Sequence, residues 1–183
     1  ALGKTYCYDL MGIRDVFQQI EALIMWRPRA CIAKILEALS YTDPSGRCPR
    51  QYSIPAKGSV PKMNLDPFID QGVWVISTII VYLQYTKDFD FLNKTCGYYE
   101  IVDEASHLVR KSEQVDSVLE HMIKIMDYLN SMRDHDYTKC VRALFGDWND
   151  ALDGLGVSLD KDKKYGTGVS VMASLQVYQN FEE

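Results

Sequence analysis

Three short stretches of the chain combine carboxylates and amides with an arginine or a tryptophan, which are the side chains that sugar sites use. Indole rings stack on the apolar faces of a pyranose, while forked carboxylate, amide and guanidinium groups hydrogen-bond to pairs of hydroxyls. The stretches are Gly12-Ile13-Arg14-Asp15-Val16-Phe17-Gln18-Gln19, Asp66-Pro67-Phe68-Ile69-Asp70-Gln71-Gly72-Val73-Trp74 and Gly146-Asp147-Trp148-Asn149-Asp150. Taken together they predict a site for a saccharide.

Each stretch also has a simpler structural interpretation. Asp15 suits the first turn of a helix, where a carboxylate complements the helix dipole. Asp70 suits the N-cap of a helix, which needs no role in catalysis. The stretch 146–150 is typical of a turn in which an aspartate accepts hydrogen bonds from the backbone that follows it.

The histidines and cysteines show no metal-binding or redox pattern. His107, His121 and His135 lack an H-E-x-x-H arrangement, so we expect them at the surface or at helix edges. The five cysteines are scattered and form no C-x-x-C pair, which predicts reduced, buried thiols. A calcium loop that began at Asp147 would need a ligand where Ala151 stands. The sequence therefore predicts no metal.

The composition is that of a globular protein with a modest acidic excess. The 183 residues include 25 acidic and 20 basic side chains, and 47% of them are hydrophobic. This balance argues against nucleic acid as a partner, since proteins that bind the phosphate backbone carry a basic surface. The longest apolar stretch, 73–83, is well short of the roughly 20 residues that span a bilayer. We therefore expect neither a nucleic-acid nor a membrane partner.

Helical periodicity dominates the first part of the chain. Apolar residues spaced three and four apart predict a helix over 13–24 and a second over 32–39, which together form a hairpin. Five prolines then predict one long loop over 43–69, ordered by its apolar residues and folded over the site. Within this loop, 50–54 is expected to pair briefly with 59–63.

The second part of the chain also reads as helical. The apolar pattern predicts a buried central helix over 73–83 and a short helix plus a connection over 89–102. It further predicts a long amphipathic helix over 115–132 with Ser112 as a possible N-cap, and a last helix over 169–181. Strand signals are weak elsewhere.

Helical hairpins separated by long loops, without a repeat, predict an all-α globule or toroid. A single helical domain, 1–183, is sufficient for a chain of this length. The apolar faces of the predicted helices are broad, so they would be buried more completely in a larger assembly. We therefore expect this chain to be part of one.

The order and rough spacing of the three stretches resemble those of a known family. The pattern Gly12-x-Arg14-Asp15-x-x-Gln18, then Asp70 with Trp74, then Gly146-Asp147-Trp148-Asn149-Asp150 is similar to that of the inverting glycoside phosphorylases of glycoside hydrolase family 94. Members include cellobiose, chitobiose and β-1,2-oligoglucan phosphorylases. The resemblance implies that the chain is part of a larger catalytic α/α-barrel, a six-hairpin toroid built from helical hairpins with long loops.

The resemblance also implies an activity and its residues. A β-glucoside or β-1,2-oligoglucan would be cleaved by inorganic phosphate as co-substrate, without a bound cofactor, to give an α-sugar 1-phosphate. Asp70 would be the general acid. The residues expected to bind or shape the sugar subsite are Arg14, Asp15, Gln18, Trp74, Asp147, Trp148 and Asp150. The implied partners are an oligosaccharide or disaccharide, phosphate, the remaining barrel segments and a second copy in a homo-oligomer, and the implied location is the cytoplasm, where phosphate is available.

Two departures from the family pattern leave alternatives open. Gln71 stands where many members have a second aspartate, so either of the two adjacent positions could be the one that carries the acid. A glycine-glutamate-serine string of the family is represented by Gly168-Val169-Ser170, without the carboxylate. The alternatives are a non-catalytic carbohydrate-binding helical domain and an inverting α/α-barrel hydrolase, which would use Asp147 or Asp150 to activate water.

Overall fold

The computed structural model describes residues 10–149 and 166–183, and this part of the chain mixes α-helices with two small antiparallel sheets. The helices of these ranges are α1 (Ile13–Ile24), α2 (Pro28–Leu39), α3 (Asp70–Thr86), α4 (Val118–Ser131) and α5 (Val171–Glu182). The strands of these ranges are β1 (Met11–Gly12), β2 (Gln51–Tyr52), β3 (Met63–Asn64), β4 (Thr95–Asp103) and β5 (Leu108–Ser117). A 3₁₀ helix spans Phe89–Asn93. The predicted all-α fold is therefore wrong, because the fold is mixed.

The helical hairpin at the start of the described chain agrees with the prediction. One face of α1 is buried, and its buried residues are Ile13, Val16, Phe17, Ile20 and Ile24. Pro28 is the first residue of α2, where its missing N–H costs nothing and its fixed φ suits a helix. The two helices pack on α3, which both of them contact.

Helix α3 lies at the centre of the described residues and contacts α1, α2, α4 and α5. It begins at Asp70, three residues before the predicted start, and it ends at Thr86, where the C-cap Lys87 has a left-handed φ of 57°. Gly72 permits close packing on α4, because a Cβ at this position would lie 2.8 Å from Ile125 Cγ2. The N-terminus of α3 is therefore fixed against its neighbours.

The segment between α2 and α3 is held as a small sheet. Strand β2 pairs with β1 and with β3, and Gln51 and Tyr52 lie opposite Asn64 and Met63. The brief pairing predicted within the long loop is thus present, and it extends to Asn64, one residue beyond the predicted segment. Because β1 leads directly into α1, this sheet ties the loop to the N-terminus of α1.

The stretch 95–117 is a β-hairpin, which the sequence analysis missed. It was predicted to contain a connection and then the start of a helix capped by Ser112, whereas it forms β4 and β5. Most side chains of the hairpin are exposed or half-buried, and Tyr98, Val109 and Ser112 are buried. The alternation of apolar and polar residues that marks a half-buried strand is therefore weak in this stretch.

Helix α4 starts at Val118, after a capping box. Ser117 accepts a hydrogen bond from the Glu120 N–H, and the Glu120 carboxylate accepts one from the Ser117 N–H at 2.8 Å. His121, in the first turn, is fully buried and stacks on Tyr98 with ring centroids 4.0 Å apart. The prediction that every histidine lies at the surface or at a helix edge is wrong for this one, whereas His107 and His135 are exposed.

The described ranges also bear on membranes, metals and thiols. No helix in residues 10–149 or 166–183 has both the length and the apolar character needed to cross a membrane. The same ranges contain no group of three or more histidine, cysteine, aspartate or glutamate side chains placed to hold a metal ion. Cys31 and Cys48 are buried free thiols, while Cys96 and Cys140 are half-buried.

Candidate active site

The N-terminal turns of three helices meet at one place. Asp70 is the first residue of α3, Arg14 lies in the first turn of α1, and Ser170 is the N-cap of α5. Arg14 Nη1 donates to Asp70 Oδ2 at 3.0 Å and to the Asp147 carbonyl oxygen at 3.2 Å. Ser170 Oγ donates to Asp147 Oδ2 at 2.5 Å. Residues from all three chemistry-bearing stretches therefore form one connected cluster.

Asp70 is the most enclosed member of this cluster, with 0% of its surface exposed. Its Oδ2 accepts hydrogen bonds from Arg14 Nη1 at 3.0 Å and from Trp74 Nε1 at 3.2 Å. Its Oδ1 accepts a hydrogen bond from Gln71 Nε2 at 3.2 Å. Trp74 lies one helical turn after Asp70, which places the indole N–H above the carboxyl group.

Opposing influences act on the pKa of Asp70. Burial is the largest and raises the pKa, because the charged form loses its hydration. The charge and hydrogen bond of Arg14 and the hydrogen bond of Trp74 lower it, while the negative charge of Asp147 raises it. The net pKa lies above the ordinary value of an aspartate. Asp70 is therefore a carboxyl group that holds its proton more readily than an exposed one.

Gln71, which the sequence analysis treated only as a departure from a motif, bridges two helices. Its Oε1 accepts a hydrogen bond from the Arg14 backbone N–H at 3.1 Å. This N–H belongs to the first turn of α1, where no intrahelical acceptor is available, and the N-cap Gly12 has no side chain to supply one. Since Gln71 Nε2 also donates to Asp70, the amide connects the start of α1 to the start of α3.

Two backbone hydrogen bonds bring the third stretch to this site. The Ile69 N–H donates to the Gly146 carbonyl oxygen at 3.0 Å, and the Phe145 N–H donates to the Pro67 carbonyl oxygen at 3.1 Å. Gly146 lies against Phe68, because a Cβ on this glycine would be 2.6 Å from the phenyl ring. This close approach requires glycine at position 146, and the two hydrogen bonds place Asp147 next to Arg14.

Asp147 holds this turn in place with both of its carboxylate oxygens. Oδ1 accepts a hydrogen bond from the Asn149 N–H at 2.9 Å, and Oδ2 accepts the one from Ser170. The Ser170 hydroxyl also caps α5, since it accepts a hydrogen bond from the Ala173 N–H at 3.0 Å. The indole of Trp148, by contrast, is 55% exposed. The turn thus presents an aromatic face while Asp147 is used to fix the backbone.

The remaining predicted residues lie beside the cluster or outside the described ranges. Asp15 and Gln18 are half-buried on α1, and neither hydrogen-bonds to Asp70 or Asp147 within the described residues. Asp15 Oδ2 lies close over Gly12, where a Cβ would be 2.3 Å away. Asp150 lies outside the described residues.

A family model for the catalytic domain of the glycosyl hydrolase 94 superfamily matches residues 6–183. The chain belongs to this family. It is also 32% identical over 174 residues to a solabiose phosphorylase from Paenibacillus borealis, a match that covers 94% of this chain. The chain spans 19% of the length of that relative. The family expected from the three sequence stretches is therefore confirmed.

Two residues near the candidate site, Ser170 and Arg50, were not among the site residues predicted from the sequence. Ser170 follows the position where the sequence analysis noted a missing carboxylate, and it is the residue that binds Asp147 and caps α5. Arg50 lies with its guanidinium carbon 4.2 Å from the centre of the Phe68 ring, on a loop with no recognisable motif. A serine just before a helix is a capping signal, but the partner of Ser170, Asp147, is 23 positions away.

Proposed function

We propose that this chain carries the proton-donating part of an inverting glycoside phosphorylase, which cleaves β-glucosides or β-1,2-oligoglucans with inorganic phosphate. One observation carries the proposal: Asp70 is a buried carboxyl group at the meeting point of the three motif stretches, and its pKa is raised. A general acid must hold a proton near neutral pH, and burial favours this state. The name of the relative from Paenibacillus borealis supports phosphorolysis as the reaction.

The proposed reaction uses one carboxylic acid and an anionic nucleophile. A phosphate oxygen attacks the anomeric carbon from the face opposite the glycosidic oxygen. The glycosidic C–O bond breaks, and the departing oxygen receives the proton of Asp70. The products are an α-sugar 1-phosphate and a shortened saccharide or free sugar. Because phosphate is already anionic, it needs positioning but no second carboxylate to deprotonate it.

The partners of Asp70 suit the state that follows proton transfer. Donation leaves a buried carboxylate, and the Arg14 guanidinium and the Trp74 indole N–H both stabilise that charge. In the arrangement described, Arg14, Trp74 and Gln71 occupy the oxygens of Asp70. Because Asp70 has no exposed surface, a sugar must open one of these contacts to reach the carboxyl group. We propose that sugar hydroxyls take over one hydrogen bond of Arg14 while its positive charge stays beside Asp70, and that Trp148 provides the exposed ring for stacking.

The experiment that tests this proposal combines phosphate, candidate substrates and two matched variants. The full-length protein is incubated with inorganic phosphate and with solabiose or with β-1,2-, β-1,3- and β-1,4-linked glucosides, and sugar 1-phosphate is measured. We expect Asp70→Asn to lower turnover by a factor of at least about 100, because loss of a general acid typically costs 10²–10⁴. Glucose binding, measured by calorimetry, should persist.

Asp66→Asn is the matched control, since it makes the same change from carboxyl group to amide four residues earlier in the chain, on a half-buried side chain outside the cluster. Its turnover should equal that of the unaltered protein. Normal turnover in Asp70→Asn would remove Asp70 from the acid role. Failure of the unaltered protein to form sugar 1-phosphate from any of these substrates would contradict phosphorolysis.

A second candidate function is a non-catalytic carbohydrate-binding domain. The observation that favours it is the enclosure of Asp70, since a carboxylate without an exposed oxygen also suits a purely structural ion pair. Glucan binding without phosphate-dependent cleavage would support this candidate. A hydrolase that uses Asp147 to activate water is less favoured, because both oxygens of that carboxylate are bound by Asn149 and Ser170.

Phosphorolysis would also favour a cytoplasmic location, where inorganic phosphate is abundant and the charge of the product retains it. Phosphorolytic activity measured on the outer surface of intact cells would contradict this location.

A further inference from the structure

We propose that Gln71 is a positioning residue for Asp70, whose amide fixes the carboxyl group between two helix N-termini and sets the pH range over which it carries a proton. The inference rests on the proposed function for its kinetic consequence. Its physical basis is a pair of hydrogen bonds that place one buried side chain on both Arg14 and Asp70.

The geometry leaves the amide of Gln71 little freedom. Only 2% of this residue is exposed, its oxygen accepts the Arg14 backbone N–H at 3.1 Å, and its nitrogen donates to Asp70 Oδ1 at 3.2 Å. The first contact orients the second, because the oxygen of the amide must face the N–H and the nitrogen must then face the carboxyl group. The amide nitrogen of Gln71 is therefore directed at Asp70 Oδ1 as a hydrogen-bond donor.

A donor at Oδ1 favours the ionised form of Asp70, because a carboxylate accepts a hydrogen bond more strongly than a carboxylic acid does. The groups that act on Asp70 from other parts of the described chain are the Arg14 guanidinium on α1 and the Asp147 carboxylate before α5. Burial and Asp147 raise the pKa of Asp70, while Arg14 and Trp74 lower it. The hydrogen bond from Gln71 also favours a lower pKa of Asp70, as those of Arg14 and Trp74 do, but Gln71 adds no charge.

The substitution Gln71→Glu tests this role with little change in shape. The new side chain keeps an oxygen for the Arg14 N–H but places a second carboxylate against Asp70 Oδ1. Two adjacent carboxyl groups hold a shared proton to higher pH. We expect the alkaline limb of kcat/KM for phosphorolysis to move upward by about one pH unit or more.

Gln84→Glu is the matched control, because it adds the same charge to an exposed position of the same helix, about 20 Å further along its axis. Its pH profile should coincide with that of the unaltered protein. A Gln71→Glu profile that also coincides would overturn the proposal. Should Gln71→Glu fail to fold, Gln71→Met is used; it removes the donor without adding charge, and it should shift the limb in the same direction by less.

A readout that does not need catalysis separates this inference from the proposed function. The stability of each variant to urea is measured from pH 4 to pH 8. Because the folded pKa of Asp70 is raised, its contribution to stability is complete at low pH and is lost as the pH rises through that pKa. In Gln71→Glu this loss should extend to higher pH and be larger than in Gln84→Glu. An unchanged stability profile would contradict the role of Gln71, even in a protein with no phosphorylase activity.

Discussion

The Arg14–Asp70 ion pair affects the stability of the fold differently depending on whether one partner or both are replaced. The Asp70 side chain is fully buried and that of Arg14 is 12% exposed, so neither charge can be rehydrated without local opening. A buried pair contributes little net stability compared with apolar residues of similar volume, because desolvation offsets the attraction. Removing the cation alone leaves an uncompensated buried carboxylate, which is far more costly.

We therefore expect Arg14→Met to lower the free energy of unfolding by up to about 3 kcal/mol at pH values at which Asp70 is ionised. The loss should be smaller at pH 4, because a carboxyl group without its cation holds a proton more readily. Urea denaturation at pH 4 and at pH 7 measures both effects. The control is Arg29→Met, which removes an exposed arginine near the start of α2. Equal losses in the two variants would show that the buried pair has no special energetic role.

At the scale of elements, the correct start of α4 illustrates how local chemistry decides a boundary. Ser112 is followed directly by Glu113, whereas Ser117 is followed by Glu120 three positions later, and the sequence analysis chose the first. In the structure Ser112 Oγ donates to Glu100 across the hairpin, whereas Ser117 forms the full capping box with Glu120. The pattern S-x-x-E is present at Ser117, so attention to the third position would have identified the cap.

Replacement of this cap gives a prediction for α4. Ser117→Ala should lower the free energy of unfolding by about 1 kcal/mol, because an N-terminal N–H of the helix loses its acceptor. The control is Ser131→Ala at the other end of the same helix, where the hydroxyl is exposed and donates to the Tyr128 carbonyl oxygen. Thermal or urea unfolding of both variants measures the difference. A loss at Ser131 as large as the loss at Ser117 would argue against the capping box.

Helix α1 was predictable from the sequence because its apolar residues recur at helical spacing and form one buried face from Ile13 to Ile24. The hairpin of β4 and β5 was not, because its strands pair mainly with each other, most of their side chains are exposed or half-buried, and their other contacts are to distant residues. The Ile101 N–H donates to Asp43 Oδ2 at 2.8 Å, and Arg47 forms an ion pair with Glu104 at 2.9 Å. Such contacts leave no periodic signal in the strands themselves.

At the scale of the whole molecule, the sequence supplied the members of the candidate site but not its internal connections. The three stretches predicted that Arg14, Asp70 and Asp147 would be involved, and the structure brings them together. The contacts join residues 56 and 133 positions apart, and they depend on the order in which helices pack. The bridging role of Gln71 and the link from Ser170 to Asp147 therefore required the structure.

Two aspartates give the molecule opposing responses to acid. Three described hydrogen bonds at Asp134, two of them from Thr138, help to lower its pKa to about 2. Its stabilising contribution is therefore present above the ordinary aspartate pKa of about 4 and is lost as the pH falls toward 2. For Asp70, whose pKa is raised, the contribution is complete below about pH 4 and is lost as the pH rises.

We therefore expect variants at the two positions to diverge in their pH dependence. The difference in unfolding free energy between the unaltered protein and Asp134→Asn should shrink from pH 5 to pH 2. Protonation of Asp134 removes the negative charge that its hydrogen bonds stabilise in the folded state. The difference for Asp70→Asn should instead grow as the pH falls from 7 to 4, because the protonated carboxyl group no longer carries its desolvation cost. Urea denaturation across pH 2–7 measures both slopes. Slopes of the same sign would show that the fold does not hold these carboxyl groups in opposite environments, and the raised pKa that the proposed acid requires would lose its support.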